Sequence, residues 1–265
     1  MKVGMHISFA GMYNTLMSAY QYELDTYQAF IRSNRGGPAR FFPNQDIEMY
    51  NRMIFQGNIK DFVIHASYVM NPASTEVPIL EKTYKTITED MYTLSRLAGR
   101  KYYVLHPGAA KDNNPIVANN VLINTLHSLS DKYLGTNICL EIMAGQGTQL
   151  MSDIESIEYI VSRCSDIPEF GLCVDLCHCF AAGIDIKDLL VFSDKIKVVH
   201  ANNSVYDWRS FRDRHSNLEK GRMPVDKIYE DLSTLESVVK DLITIVETPE
   251  PDIYYDFKLL KNKFS

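Results

Sequence analysis

Short apolar, β-branched runs return along the whole chain: VGMHI (3–7), QAFI (28–31), DFVIH (61–65), KYYVLH (101–106), NICLEI (137–142), FGLCVDL (170–176), IKVVH (196–200) and ITIVE (243–247). Between them lie segments with helical spacing: 11–24, 46–57, 78–98, 115–133, 151–163, 186–193, 225–240 and a terminal 253–263. Strand alternating with helix predicts a parallel α/β fold. Eight such units predict a (β/α)8 TIM barrel covering residues 1–265 as one domain. The second strand is the weakest, because its run is short and Arg32 follows at once. No linker, low-complexity stretch or clear repeat interrupts the pattern.

The chain's 265 residues are enough for a large core, and their formal charge is −6. That balance excludes a simple polycation, although bound cations would offset it locally. Cys139, Cys164, Cys173, Cys177 and Cys179 are odd in number and form no CxxC pair, so a reducing intracellular compartment is expected. The opening MKVGMHIS reads as a strand and not as a signal peptide, and no apolar run is long enough for a membrane span.

The chemistry lies at the ends of the apolar runs. His65, His106, Glu141, Asp175 with His178, His200, Asp213 with His215, and Glu247 follow predicted strands three to eight or sit in the next loops. A barrel gathers the C-terminal ends of its strands on one face, where active sites are built, so these residues should converge there. Five imidazoles and four carboxylates suit borderline or hard divalent ions without a thiolate. Nine ligands exceed one ion's needs and, with a bridging carboxylate, suffice for three. Taken singly, each has a plainer reading: Asp175 could cap a turn, and Glu247 could be an exposed loop acid. His127 falls on an outer helix and reads as structural, while His6 near the mouth reads as a supporting hydrogen-bond partner. Alternation puts Cys173 and Cys177 on Asp175's side of a strand, as small buried fillers.

The motifs resemble the endonuclease IV family of apurinic/apyrimidinic (AP) endonucleases, AP endonuclease family 2, over nearly the whole chain. They are Gly4-Met5-His6-Ile7-Ser8, His65-Ala66-Ser67-Tyr68, His106-Pro107-Gly108, Glu141 with Ala144-Gly145-Gln146-Gly147, and Cys173 through Gly183. His200 with Asn202, Asp213-Arg214-His215 and Glu247-Thr248 complete the set in family order. The resemblance implies three zinc ions: one on His65, His106 and Glu141, a second sharing Glu141 with Asp175, His200 and Glu247, and a third on His178, Asp213 and His215. Glu141 and Glu247 would carry the catalysis. The implied reaction is hydrolysis of the phosphodiester 5′ to an abasic site in double-stranded DNA, giving 3′-hydroxyl and 5′-deoxyribose phosphate ends in base excision repair. A 3′-phosphodiesterase activity and a monomeric state are also implied.

Arg35 and Tyr68 match loop positions whose side chains enter the minor groove in relatives, so both are expected to bind substrate. Arg209, Arg212, Arg214, Lys220 and Arg222 form a basic stretch suited to phosphate contact. Two positions depart from the family: Leu218-Glu219-Lys220-Gly221 replaces a Gly-Glu-Gly-like turn, and Asn203 stands where relatives usually carry an acid. The main rival is a metal-dependent sugar isomerase or epimerase on a related barrel, using only Glu141, Asp175, His200 and Glu247. A damage-binding protein without catalysis would have little use for so complete a ligand set.

Overall fold

In a computed structural model, which describes residues 1–112 and 114–264, eight parallel strands close into a barrel. Its units are β1 (Lys2–His6) and α1 (Met12–Gln21), β2 (Thr26–Ala29) and α2 (Asn44–Gln56), β3 (Asp61–His65) and α3 (Val77–Ser95), and β4 (Arg100–Leu105) and α4 (Pro115–Leu129). The second half runs β5 (Thr136–Glu141) and α5 (Ile154–Cys164), β6 (Phe170–Asp175) and α6 (Leu176–Ala182), then β7 (Ile196–Ala201). A small antiparallel pair, β8 (Asn203–Ser204) and β9 (His215–Ser216), precedes α7 (Val225–Val238), β10 (Ile243–Val246) and α8 (Ile253–Lys263). β10 pairs with β1 and β7, which closes the ring. No helix among the described residues is long and apolar enough to cross a membrane.

The expected (β/α)8 barrel is present, with three local differences. The second strand lies two residues earlier than the apolar run, because Gly4, Met5 and His6 pair with Thr26, Tyr27 and Gln28. The segment 186–193 is a 3-10 helix over Ile186–Phe192. The sixth strand stops at Asp175, whose carboxylate accepts from the His178 N–H at 2.8 Å and caps α6, a helix that Gly183 ends at φ +79. Cys177 therefore lies on that helix, and strand alternation does not place it beside Asp175.

Side chains on a barrel strand alternate between lumen and outer face. Val63, Tyr102, Val104, Cys139, Cys173, Val198, Ile243 and Ile245 form one buried cluster, the plug of the lumen. A larger core joins the outward strand faces to the helices, with Leu16, Tyr50, Ile87, Leu122, Ile157, Leu232 and Phe257 all fully buried. Below the plug, buried Asp61 pairs with Lys2 and Arg100, and Arg100 reaches Asp241 at 3.3 Å. Above it, the next lumen position on six strands carries a ligand-type residue: Val63 precedes His65, Val104 precedes His106, Cys139 precedes Glu141, Cys173 precedes Asp175, Val198 precedes His200, and Ile245 precedes Glu247.

β1 passes very close to β2. A Cβ on Gly4 would lie 2.1 Å from the Thr26 carbonyl oxygen, a backbone atom that cannot swing aside. Gly4→Ala is expected to lower the unfolding free energy by about 3 kcal/mol, the upper range of overpacking. Chemical denaturation measures this, and an unchanged midpoint would show that the strands separate freely.

Candidate metal centre at the barrel mouth

All nine ligand-type residues meet at the C-terminal mouth of the barrel. Their donor atoms fall into overlapping groups whose members lie within 4.8 Å of one another: His65, His106 and Glu141; Asp175, His200 and Glu247; His178, Asp213 and His215; Glu141, Asp175 and His178; and, with a thiol, Asp175, Cys177 and His215. Glu141 joins them. Its Oε2 lies 3.2 Å from His65 Nε2 and 3.3 Å from His106 Nε2, while its Oε1 lies 3.2 Å from His178 Nδ1 and 3.4 Å from His200 Nδ1. Asp175 and His200 are register partners on adjacent strands, with Oδ2 and Nδ1 3.5 Å apart. Asp213 arrives on the excursion between β8 and β9, and His215 opens β9. Asp213 Oδ2 is 3.3 Å from His178 Nε2, and its Oδ1 is 3.6 Å from His215 Nε2.

The second nitrogen of most of these imidazoles is held by the protein. His65 Nδ1 donates to the Ala66 carbonyl at 2.8 Å, His215 Nδ1 to the Glu247 carbonyl at 3.0 Å, and His178 Nδ1 to the Ile142 carbonyl at 3.0 Å. His200 Nε2 donates to Gln28 Oε1 at 2.8 Å. Such bonds fix the tautomer and aim the opposite nitrogen, as around metal-binding histidines. Two aimed nitrogens, His178 Nε2 and His200 Nδ1, are buried without an aligned hydrogen-bond partner.

Charge makes the same point. The ion-pair partners of Glu141, Asp175, Asp213 and Glu247 among the described residues are all histidines. Burial alone would raise the Glu247 carboxyl, but His200, His65 and His6 hold it far below its ordinary value. Burial would lower His178, yet Asp175, Asp213 and Glu141 raise it well above the usual imidazole range. The shared surroundings therefore favour the ionised carboxylates of Glu141, Asp175 and Glu247. A set of oxygens and imidazole nitrogens converging in this way fits divalent cations.

Several supporting residues lay outside the sequence expectations. Gln28 is fully buried on β2 and, besides holding His200, donates to Glu247 Oε1 at 3.2 Å. Asn202 donates to Asp175 Oδ2 at 2.8 Å and accepts from the Cys177 N–H at 2.9 Å. Gln146 Oε1 accepts from the Asp213 N–H at 3.0 Å, tying the β5 loop to the excursion. A polar residue alternating with apolar ones on a short strand was the available signal for Gln28. Asn202 and Gln146 carried only their place in the family motifs. His6 lies 3.1 Å from Gln28 Nε2, and burial lowers its pKa to about 4, with His65 and His200 adding to the effect against Glu247. It is therefore neutral at physiological pH, in the supporting place expected of it. His127 bonds the Arg163 carbonyl on the outer surface. Burial pushes the Cys173 and Cys177 thiols up to about 12, so both are neutral fillers.

An open cleft of about 460 Å³ exposes the edge of the centre between Tyr68, Gln149 and Arg214. Tyr68 is half-exposed, edge-on to His65 with ring centroids 5.1 Å apart. Arg35 is exposed on the neighbouring loop. The Asn34 carbonyl beside it accepts from the Tyr68 N–H at 2.9 Å and from Ser67 Oγ at 3.0 Å, so the two loops are stitched together. The basic stretch divides: Arg214 lines the cleft, Lys220 pairs with Asp252, and Arg222 lies 3.8 Å from Asp207. Arg212 sits over the Tyr206 ring, and Arg209 covers Gly183.

Comparison with known proteins bears on the family and the fold. Residues 19–262 match the family model described as a xylose isomerase-like TIM barrel. A probable endonuclease 4 from Finegoldia magna is 31% identical over 258 residues, covering 94% of this chain and 91% of the relative. The chain belongs to the endonuclease IV family. Among solved structures, endonuclease IV from Thermus thermophilus superposes with a TM-score of 0.80 at 25% identity, covering 99% of this chain and 98% of that one. A D-tagatose 3-epimerase-like protein superposes at 0.75 with 18% identity, covering 99% and 96%, a likeness of fold alone.

Gln28 touches two ligand-type residues from the far side of the centre. Gln28→Leu should weaken retention of divalent metal by roughly 10- to 100-fold, the usual scale for losing such a partner. Competition with a chelator measures this, and unchanged retention would separate Gln28 from the centre.

Proposed function

We propose that this endonuclease IV family member is a DNA repair nuclease that hydrolyses the phosphodiester 5′ to abasic sites in double-stranded DNA, using three zinc ions. The observation that carries the reading is the division of Glu141. One oxygen faces His65 and His106, the other faces His200 and His178, and Asp213 with His215 complete a third group. In this reading one ion takes His65, His106 and Glu141. A second takes Glu141, Asp175, His200 and Glu247, and a third takes His178, Asp213 and His215. The imidazole-rich donor set favours zinc. Bound there, the ions supply Lewis-acid polarisation of a phosphate and acidify water toward neutral pH.

The protein's own part is to position and discriminate. Glu141 holds two of the groups in one fixed relation. Glu247 lines the cleft beside His200 and is assigned the catalysis together with Glu141. Arg35 and Tyr68 read the gap left by a missing base. An abasic nucleotide has no base to unstack, so it enters the cleft at lower cost than an intact one. Arg214 offers a phosphate contact at the rim. The products are a 3′-hydroxyl and a 5′-deoxyribose phosphate, and the same cleft suits 3′-phosphodiester ends. A sugar epimerase on a related barrel would use only Glu141, Asp175, His200 and Glu247 of this centre. Its chemistry does not need His65, His106 or the His178, Asp213 and His215 group.

Gently purified protein should contain about three zinc ions per chain by elemental analysis, the number its nine donors can satisfy. It should nick abasic duplex 5′ to the lesion, with binding that weakens as salt rises. A reproducible single ion with full activity would remove the three-ion reading. Interconversion of an aldose and a ketose without any nicking would replace the nuclease reading altogether. Glu141→Gln keeps the shape but loses the shared charge. Turnover should fall by roughly 100-fold or more, as when a preorganised electrostatic group is lost, while abasic-duplex binding is partly retained. Near-normal turnover in that variant would exclude Glu141 from the chemistry.

A further inference from the structure

Arg32 is the only arginine among the described residues whose side chain is buried. It sits three residues past β2 and faces α3. Its guanidinium donates from Nε and Nη2 to Asp90 Oδ1 at 2.9 and 2.6 Å, and from Nη1 to the Gly37 carbonyl at 3.0 Å. Nη2 also lies 3.3 Å from Glu89 Oε2 and 3.4 Å from the Thr86 carbonyl. Asp90 in turn accepts from the Tyr103 hydroxyl at 2.7 Å, and Tyr103 is fully buried on β4, the strand that leads to His106.

One guanidinium therefore grips both ends of the segment 32–37, and Arg35 stands between them. The Gly36 N–H donates to the Ser33 carbonyl at 3.0 Å, and the Asn34 carbonyl takes the two bonds from the Tyr68 loop. The loop backbone is pinned at 33, 34 and 37 while the Arg35 side chain stands out toward solvent. A buried ion pair is a poor way to gain stability, since apolar packing of the same volume does as well or better. It is a good way to hold one geometry.

We propose that Arg32, with Asp90 and Tyr103, is a positioning device that presents Arg35 to the duplex at a set distance from the metal centre. This rests on the reading of Arg35 as a substrate contact. Pre-ordering the loop removes the entropy of ordering it on binding, so the device acts on affinity and discrimination.

The test is a double-mutant cycle on the full, metal-loaded protein, read as abasic-duplex affinity, KM and kcat. Arg32→Gln should raise the dissociation constant and KM by roughly tenfold, within the range of coupled neighbours, with kcat and metal content little changed. In an Arg35→Ala background the same change should add almost nothing, because the presented group is gone. A merely structural role would persist in both backgrounds. Tyr103→Phe, which removes a single hydroxyl, serves as the milder second variant and should move affinity in the same direction. If Arg35→Ala weakens binding but neither Arg32→Gln nor Tyr103→Phe does, the device is refuted and the Arg35 reading stands. Additive effects refute it likewise. If Arg35→Ala itself leaves affinity unchanged, the reading of Arg35 falls, and the device falls with it.

Discussion

The register of the closed barrel is the constraint on which the rest depends. Each strand has a side-chain period of two, so a one-residue slip would turn its lumen positions outward. Six strands end in register with an apolar residue below and a ligand-type residue above it. A slip in β6 would send Asp175 outward and remove its contact with His200. Closure opposes a slip of the whole strand, because each is paired on both sides, and the one irregularity between β6 and β7, at Leu172/Cys173, lies before Asp175 pairs with His200. The close pass of Gly4 to Thr26 belongs to the same requirement.

Convergence creates an electrostatic problem that the fold does not itself resolve. Four carboxylates share one mouth, and the groups opposite them are imidazoles that are neutral in isolation at physiological pH. The plug beneath them is apolar and offers no compensation. The protein spends its polar partners on aiming the donors instead. Backbone carbonyls of Ala66, Ile142 and Glu247 take imidazole protons, and Gln28 and Asn202 bond His200 and Asp175. These groups define direction and tautomer while leaving the carboxylate charge in place, which is the arrangement a cation requires.

The strands and the nine convergent residues were legible because both follow from local pattern. An apolar run ending in His, Asp or Glu is visible in one dimension, and the barrel supplies the convergence. Supporting residues were far less visible. Gln28 is defined by partners at positions 200 and 247, and nothing near it in sequence signals them. The helix after β6 was hidden because FGLCVDLCHCF is apolar apart from Asp175 and His178, so no period separates strand from helix. The Asp175 cap marks the change, and a residue that both caps and faces a metal group is easily credited with one role only. The buried state of Arg32 was likewise invisible, since its partner Asp90 lies a whole β/α unit away.

Asn203 and the Leu218–Gly221 turn, the two positions expected to depart from the family pattern, form one structural feature. Asn203 is fully buried, and its Nδ2 donates to the Leu218 and Met223 carbonyls, both at 2.7 Å. Its Oδ1 accepts from the Ser204 N–H at 2.7 Å and the Met223 N–H at 2.9 Å. The loop can come this close because residue 221 is glycine: a Cβ there would lie 2.2 Å from the Asn203 amide. An ionised carboxylate at 203 has acceptors only and could not answer two carbonyls. An acid at 203 therefore calls for a differently folded turn, and this turn calls for an amide. The turn leads into α7 and hangs from Asp256 of α8, which accepts from Asn217 Nδ2 and the Leu218 N–H. His215 is anchored separately, through the Glu247 carbonyl. The Asn203 turn and the ligand-type residues at the barrel mouth are thus held by separate contacts.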